Sequence, residues 1–161
     1  MEQYTPLLHT PFGIVRDARL SDTDSIVQLV GKLAAHHGDA VALTSEYLAR
    51  DAFGERPWIY VLVAEADGEL IGYAALCGLI QLQFGVRGLD MHHLFTEEGF
   101  RGRGIGTALV DACKTKAKTL SCRYLMVGTY PDNHEAQAFY ETLGFMRRDG
   151  QPPRFLLRLE N

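Results

Sequence analysis

Cysteine is scarce in this 161-residue chain. Cys77, Cys113 and Cys122 are odd in number, widely spaced and form no CxxC pair, so neither a disulfide framework nor a zinc knuckle is expected. Long hydrophobic runs are missing as well. The apolar stretch Ile59–Ala64 is far short of the ~20 residues that span a bilayer. The N-terminus shows no basic segment followed by a hydrophobic core, which predicts no signal peptide, no membrane partner and a cytoplasmic location. A basic excess is absent too. The 16 Lys and Arg against 20 Asp and Glu give a net charge of −4, which disfavours a nucleic-acid partner. Proline is sparse, with 6 residues against 16 glycines, and 47% hydrophobic with 22% charged residues is a globular balance. That excludes a disordered tail, a collagen and a low-complexity linker. The length suits one core of ~100–200 residues, so residues 1–161 are read as one domain, with residues 1–12 an extended lead-in.

What is present is periodicity. Ile14–Ala18 reads as a strand. Ser21 or Asp22 then offers a cap to a helix whose apolar stripe is Ile26, Leu29, Val30 and Leu33, ending before Gly38. Thr44 caps a second helix ending near Gly54. Trp58–Ala66, the turn Asp67-Gly68 and Leu70–Leu82 form a hairpin, and Leu89–Thr96 is a further strand. Ile105, Ala108, Leu109 and Ala112 mark an amphipathic helix to about Ala117. Tyr124–Thr129 is a buried strand, Asn133–Leu143 a helix stopped by Gly144, and Phe155–Leu159 a closing strand. This order predicts an α/β fold with one mixed, mostly antiparallel twisted sheet flanked by helices on both faces.

The chemistry concentrates where a strand runs through Phe100-Arg101-Gly102-Arg103-Gly104-Ile105-Gly106 into a helix. Backbone N–H groups at a helix N-terminus cradle an anion. Glycines there remove Cβ atoms, and Arg101 and Arg103 add charge-assisted donors. A tight turn with glycines for geometry alone is the plainer account. No Gly-Lys-Ser/Thr follows, and Thr107 stands where a dinucleotide fingerprint has its third glycine.

The pattern Arg101-x-x-Gly104-x-Gly106 resembles the pyrophosphate loop of the GNAT N-acetyltransferase superfamily. Asn133-x-x-Ala136-x-x-x-Tyr140-x-x-x-Gly144-Phe145 resembles that superfamily's later helix-and-glycine motif. The resemblance covers Ile14–Leu159 and implies a single GNAT-type domain with acetyl-CoA as cosubstrate. No metal is expected, since His36 and His37 lie roughly 100° apart on a helix and His92 and His93 alternate on a strand. It implies that Arg101, Gly102, Arg103, Gly104, Ile105 and Gly106 hold the pyrophosphate. Leu94, Phe95 and Thr96, mainly through backbone atoms, and Asn133 and Ala136 then lie along the pantetheine arm and acetyl group, with a splayed backbone N–H on the strand supplying the donor to the thioester carbonyl. Tyr140 lies at the coenzyme sulfur by the same resemblance, as the acid that protonates the departing thiolate. Asn133 also suits a plain N-cap, and Tyr140 a core aromatic.

An amine acceptor with a pKa near ~10.4 is mostly protonated at neutral pH, so the site must take up a proton. Histidine titrates near neutrality, which makes His92 a proton acceptor or relay, or a strand histidine satisfied by a neighbour. Strict strand alternation puts Asp90, His92, Leu94 and Thr96 on one face and Met91, His93 and Phe95 on the other. His92 and His93 then point oppositely, with His93 structural. Asp90 is placed to orient His92 or attract a cationic amine.

A second resemblance concerns the acceptor. Leu43-Thr44-x-x-x-Leu48-x-x-Asp51-x-Phe53-Gly54-Glu55-x-Pro57, followed by Leu62-Val63-Ala64-Glu65, is similar to the spermidine/spermine (diamine) acetyltransferase branch. It implies a homodimer acting on a primary amine of a polyamine- or lysine-like small molecule. That branch carries a glutamate where this chain has His92, and an acidic first-helix end where it has His36-His37-Gly38-Asp39. His37, Asp39 and Asp90 are the acceptor-side candidates. A protein or peptide N-acetyltransferase would need an open groove, which the segment from Thr44 to Asp51 is expected to cover. A non-catalytic acyl-CoA-binding sensor would bind coenzyme without turnover.

Overall fold

A computed structural model of the protein describes residues 5–150 and 153–159, and the chain divides into two units, residues 1–128 and 129–161. The first unit carries one six-stranded sheet in which the strands follow sequence order. The strands are β1 (Leu8–Thr10), β2 (Gly13–Asp17), β3 (Ile59–Ala66), β4 (Glu69–Gln81), β5 (Val86–Thr96) and β6 (Cys122–Val127). Every pairing is antiparallel except the parallel pair β5–β6. The sheet is therefore mixed and mostly antiparallel, as expected.

Residues 8–10, read from sequence as lead-in, instead form β1 and pair with β2 through Leu8–Val15 and Thr10–Gly13. The turn holds because the Thr10 hydroxyl donates to Gly13 O at 3.1 Å while Gly13 N–H donates back to it at 3.2 Å. Pro11 sits inside this turn rather than ending ordered structure. The closing strand expected at Phe155–Leu159 is not formed: residues 153–159 are irregular.

Helix α1 (Thr23–His36) buries Ile26 and Leu29 from its apolar stripe, and α2 (Ser45–Phe53) buries Leu48. They cover one face of the sheet, meeting Val61, Val63, Tyr73, Ala75 and Phe95. Helix α3 (Ile105–Thr119) covers the other. A Cβ built on Gly72, which points opposite to Tyr73, would meet Leu109 and Ile105.

Thr44 caps α2 by accepting from Tyr47 N–H at 3.1 Å. Asp22 precedes α1 but makes no side-chain cap. Its carboxylate accepts instead from Arg16 Nη1 and Nη2 at 2.7 and 3.0 Å and from Arg19 N–H at 2.7 Å. Arg16 is 3% exposed and also donates from Nε to Glu65 at 2.6 Å. A buried guanidinium this far from water requires both carboxylates.

The second unit carries α4 (His134–Thr142), ended by Gly144 at φ +89°. No helix among the described residues is long and apolar enough to cross a membrane.

Candidate active site

The site grows from a break in the β4–β5 register. Ala75 pairs with His93, but the next residue, Leu76, pairs with Met91. His92 is the extra residue, a β-bulge. Neighbouring strand residues ordinarily point to opposite faces. Here the His92 and His93 rings stack, 4.3 Å between centroids and 12° from parallel, and both line one cavity. The expectation of opposed histidines is overturned, because the inserted residue takes up half a pleat. The same slip rephases Asp90, which pairs with Cys77 and so shares a face with His93, not with Leu94.

Past the bulge, β5 loses its neighbour. Pairing with β6 ends at Met91–Val127. Glu97 N–H donates to Ile71 O at 2.8 Å. Counting back by twos in the antiparallel ladder, the Phe95 and His93 amides also face β4. The Leu94 and Thr96 amides face away from β4, where no strand stands among the described residues. Of the three backbone positions expected along the pantetheine arm, Leu94 and Thr96 therefore present amides to this gap, while the Phe95 amide belongs to the ladder and its side chain is buried in the core.

The glycine-rich turn follows β5. Gly102 and Gly104 take φ of +75° and +80°, and Gly104 is the N-cap of α3. A Cβ built at either would have nothing within 4 Å, so both glycines face open space. The first-turn amides of Ile105, Gly106 and Thr107 lie at a helix N-terminus, beyond the reach of i−4 carbonyls. The helix dipole favours negative charge there. Arg101 Nε donates to Thr96 O at 3.2 Å, and its guanidinium lies 6.0 Å from the Phe95 ring. Arg103 lies 5.4 Å over Phe100. Both arginines are exposed and held by these contacts beside the turn.

On the α1–α2 face, a cavity of about 600 Å³ reaches the bulge. Tyr73, 1% exposed, forms its floor, with Oη 3.0 Å from His93 Nδ1 in a hydrogen bond. Burial pushes the Tyr73 phenol up. Burial first, then the neighbouring His92 and His37, push the His93 imidazole down to about 4. At neutral pH His93 is therefore uncharged. Burial pushes the Asp90 carboxyl up while His92 pulls it the other way, so these two groups sense each other. Asp39 is exposed and is absent from the cavity wall, whereas Asp51 lines it, paired with Arg50 at 2.7 Å. Leu48 and Asp51 of the segment from Thr44 to Asp51, with the preceding Leu43, line the cavity.

Sequence reasoning missed Tyr73 and Trp58 as wall residues. Tyr73 reads only as one more aromatic in an apolar strand, and Trp58 as the start of β3.

In the second unit, Asn133 Oδ1 accepts from Ala136 N–H at 3.1 Å and so caps α4. The plainer of its two readings is thus realised. The Tyr140 ring packs edge-on to Phe139 and Phe145, with centroids 5.3 and 5.6 Å away.

Comparison with known proteins agrees with this layout. The family model "Acetyltransferase (GNAT) family" matches residues 30–145. Thialysine N-epsilon-acetyltransferase of Bos taurus is 29% identical over 146 residues, 83% of this chain and 84% of that protein. Spermidine/spermine N(1)-acetyltransferase-like protein 1 of Homo sapiens is 30% identical over 117 residues, 67% of this chain and 17% of that protein. The crystal structure of a ribosomal-protein-alanine N-acetyltransferase from Brucella melitensis superposes with a TM-score of 0.71 at 21% identity, covering 90% of this chain and 99% of that one. The chain is an acetyltransferase and belongs to the GNAT family.

Proposed function

We propose that this protein transfers an acetyl group from acetyl-CoA to a primary amine of a small molecule by direct attack within a ternary complex. The carrying observation is the bulge at His92. It ends the β5–β6 pairing, turns the Leu94 amide toward the gap and sets two imidazoles on the wall of the cavity.

The residues present fit the coenzyme. The open turn at Gly102 and Gly104, the first-turn amides of α3 and the adjacent Arg101 and Arg103 suit a pyrophosphate, and the extended backbone at Leu94 and Thr96 suits an amide-bearing arm. When bound, acetyl-CoA supplies the acetyl thioester. The chain's own work is then to orient and to move protons. The Leu94 N–H faces the gap as a preorganised donor for an oxygen gaining negative charge. His92, exposed on the cavity wall, takes the proton of the incoming ammonium directly or through water. His93, uncharged and fixed by Tyr73, adds no positive charge that would repel a cationic acceptor.

The family resemblance carries Asn133 and Ala136 to the pantetheine arm and Tyr140 to the role of acid toward the leaving thiolate. It also supports one catalytic domain and a homodimer, while the scarcity of cysteine supports cytoplasmic residence. The small-amine acceptor is supported by the thialysine and spermidine/spermine names of the relatives.

The test is acetyl-CoA turnover, followed by thiol release, across polyamines, lysine analogues, aminoglycosides, amino acids and short peptides. Turnover with a small primary amine supports the reading. Turnover confined to peptides, or calorimetric coenzyme binding with no turnover, overturns it.

A further inference from the structure

We propose that the cavity beneath α1 and α2 selects an acceptor with an apolar body and a single cationic end, a phenylalkylamine or branched alkylamine, rather than a polyamine. This rests on the acetyl-transfer reading above and names the substrate class for it.

The wall is the reason. Ile26 and Val30 of α1, Leu43 and Leu48 around α2, Val61 of β3 and Ala75 of β4 give the cavity an aliphatic wall. A volume of about 600 Å³ falls within the roughly 300–1,000 Å³ of pockets that enclose a small ligand by apolar contact and orient it through a few polar groups. The polar groups are few. His92, His93 and the Tyr73 hydroxyl lie toward β5, and Arg50 with Asp51 lies on α2.

Charge decides against a polycation. Asp51 is the only carboxylate among the described lining residues, and its two oxygens accept from Arg50 Nε and Nη2 at 2.7 and 2.9 Å. The cavity therefore offers no unpaired negative charge to the second and third ammonium groups of a spermidine-like chain. Each would carry an uncompensated desolvation cost. An amine with one nitrogen avoids this, with its head at the imidazoles and its body against the aliphatic wall, where burial is favourable.

The chain provides its own reporter. Trp58 is the only tryptophan, lines the cavity and is 81% exposed, so its fluorescence reads occupancy without any need for turnover. Titrating the full-length protein with 2-phenylethylamine, 3-methylbutylamine, lysine and spermidine should give saturable changes for the first two. Their half-saturation is expected at least tenfold below that of spermidine and of lysine. In Leu43→Glu, which places a carboxylate on the wall from an irregular segment, that gap should shrink at least fivefold.

Spermidine or lysine binding wild-type protein as tightly as the apolar amines overturns the inference, whether or not acetyl transfer is observed. Silence of Trp58 to the apolar amines overturns it as well. Selective apolar-amine binding without thiol release leaves this cavity assignment standing and removes the acetyl-transfer reading. Acetylation of spermidine ahead of phenylethylamine does the reverse.

Discussion

Tyr73 Oη and His93 Nδ1 stand 3.0 Å apart, a hydrogen bond that pins the bulge of β5 to the floor of the cavity. Tyr73 is 1% exposed, so little water is at hand to replace the bond. Tyr73→Phe should lower stability by about 1 kcal/mol, read as a shifted urea midpoint with an unchanged slope.

His93 also gives stability a pH dependence. Its imidazole is held down to about 4 in the folded chain, against about 6.5 when unfolded. The unfolded state therefore binds the extra proton across that window. Stability should fall as pH drops from about 6.5 to about 4, by roughly 1–2 kcal/mol once solvent screening of the partly exposed ring is allowed for. His93→Gln should flatten the curve over that interval, as measured by thermal or urea denaturation at each pH.

The Arg16 cluster acts in a lower range. Burial pushes the Asp22 carboxyl up, but the Arg16 guanidinium and the Arg19 backbone N–H outweigh it and hold it below the usual carboxylate range. Its stabilisation is present above about pH 4 and is lost as pH falls further. Asp22→Asn should remove that acid limb without touching the limb due to His93. Arg16→Ala strands two partly buried carboxylates and should cost about 3 kcal/mol.

Gly104 adopts φ +80° with open space on its Cβ side. Gly104→Ala should destabilise by about 1–2 kcal/mol, the strain of a left-handed alanine, and should weaken acetyl-CoA binding at least tenfold by calorimetry. Gly99→Ala, at a position with equal space and no positive φ, should leave coenzyme affinity unchanged. Unaltered coenzyme binding in folded Gly104→Ala would place the pyrophosphate elsewhere.

Tyr140→Phe separates the assigned acid role from packing. Loss of a general acid should lower kcat by about 10²-fold or more with little change in KM, and the loss should be smaller for a thiol leaving group of lower pKa. A packing role alone would move stability and leave kcat nearly intact.

Elements with a local cause were legible in the sequence. The stripe of α1, the Thr44 cap, the Asp67-Gly68 hairpin and the glycine turn that opens α3 each depend on residues within a few positions of one another. The illegible features turn on which partner a residue finds once the chain has folded. The His92 bulge exists only in the register between β4 and β5, so adjacent histidines that alternate on paper stack in the fold. β1 formed despite its prolines because Thr10 and Gly13 close a hairpin across Pro11. Asp22, next to α1 and well suited to cap it, was drawn off by Arg16. The stretch Phe155–Leu159 was apolar without alternating, and composition alone did not make it a strand.

Past Met91 no strand among the described residues pairs with the far side of β5, so an interior strand behaves there as an edge. Its amides should exchange with deuterium in a two-residue rhythm, slowly at His93 and Phe95, which face β4, and rapidly at Leu94 and Thr96, which face the gap. An exposed strand edge also invites pairing with other chains. Arg101 blunts this one by occupying the Thr96 carbonyl, and the kink at His92 shortens the straight run available. An extended amide-bearing chain lying in the gap would act as a seventh strand, and its arrival would register first as slowed exchange at Leu94.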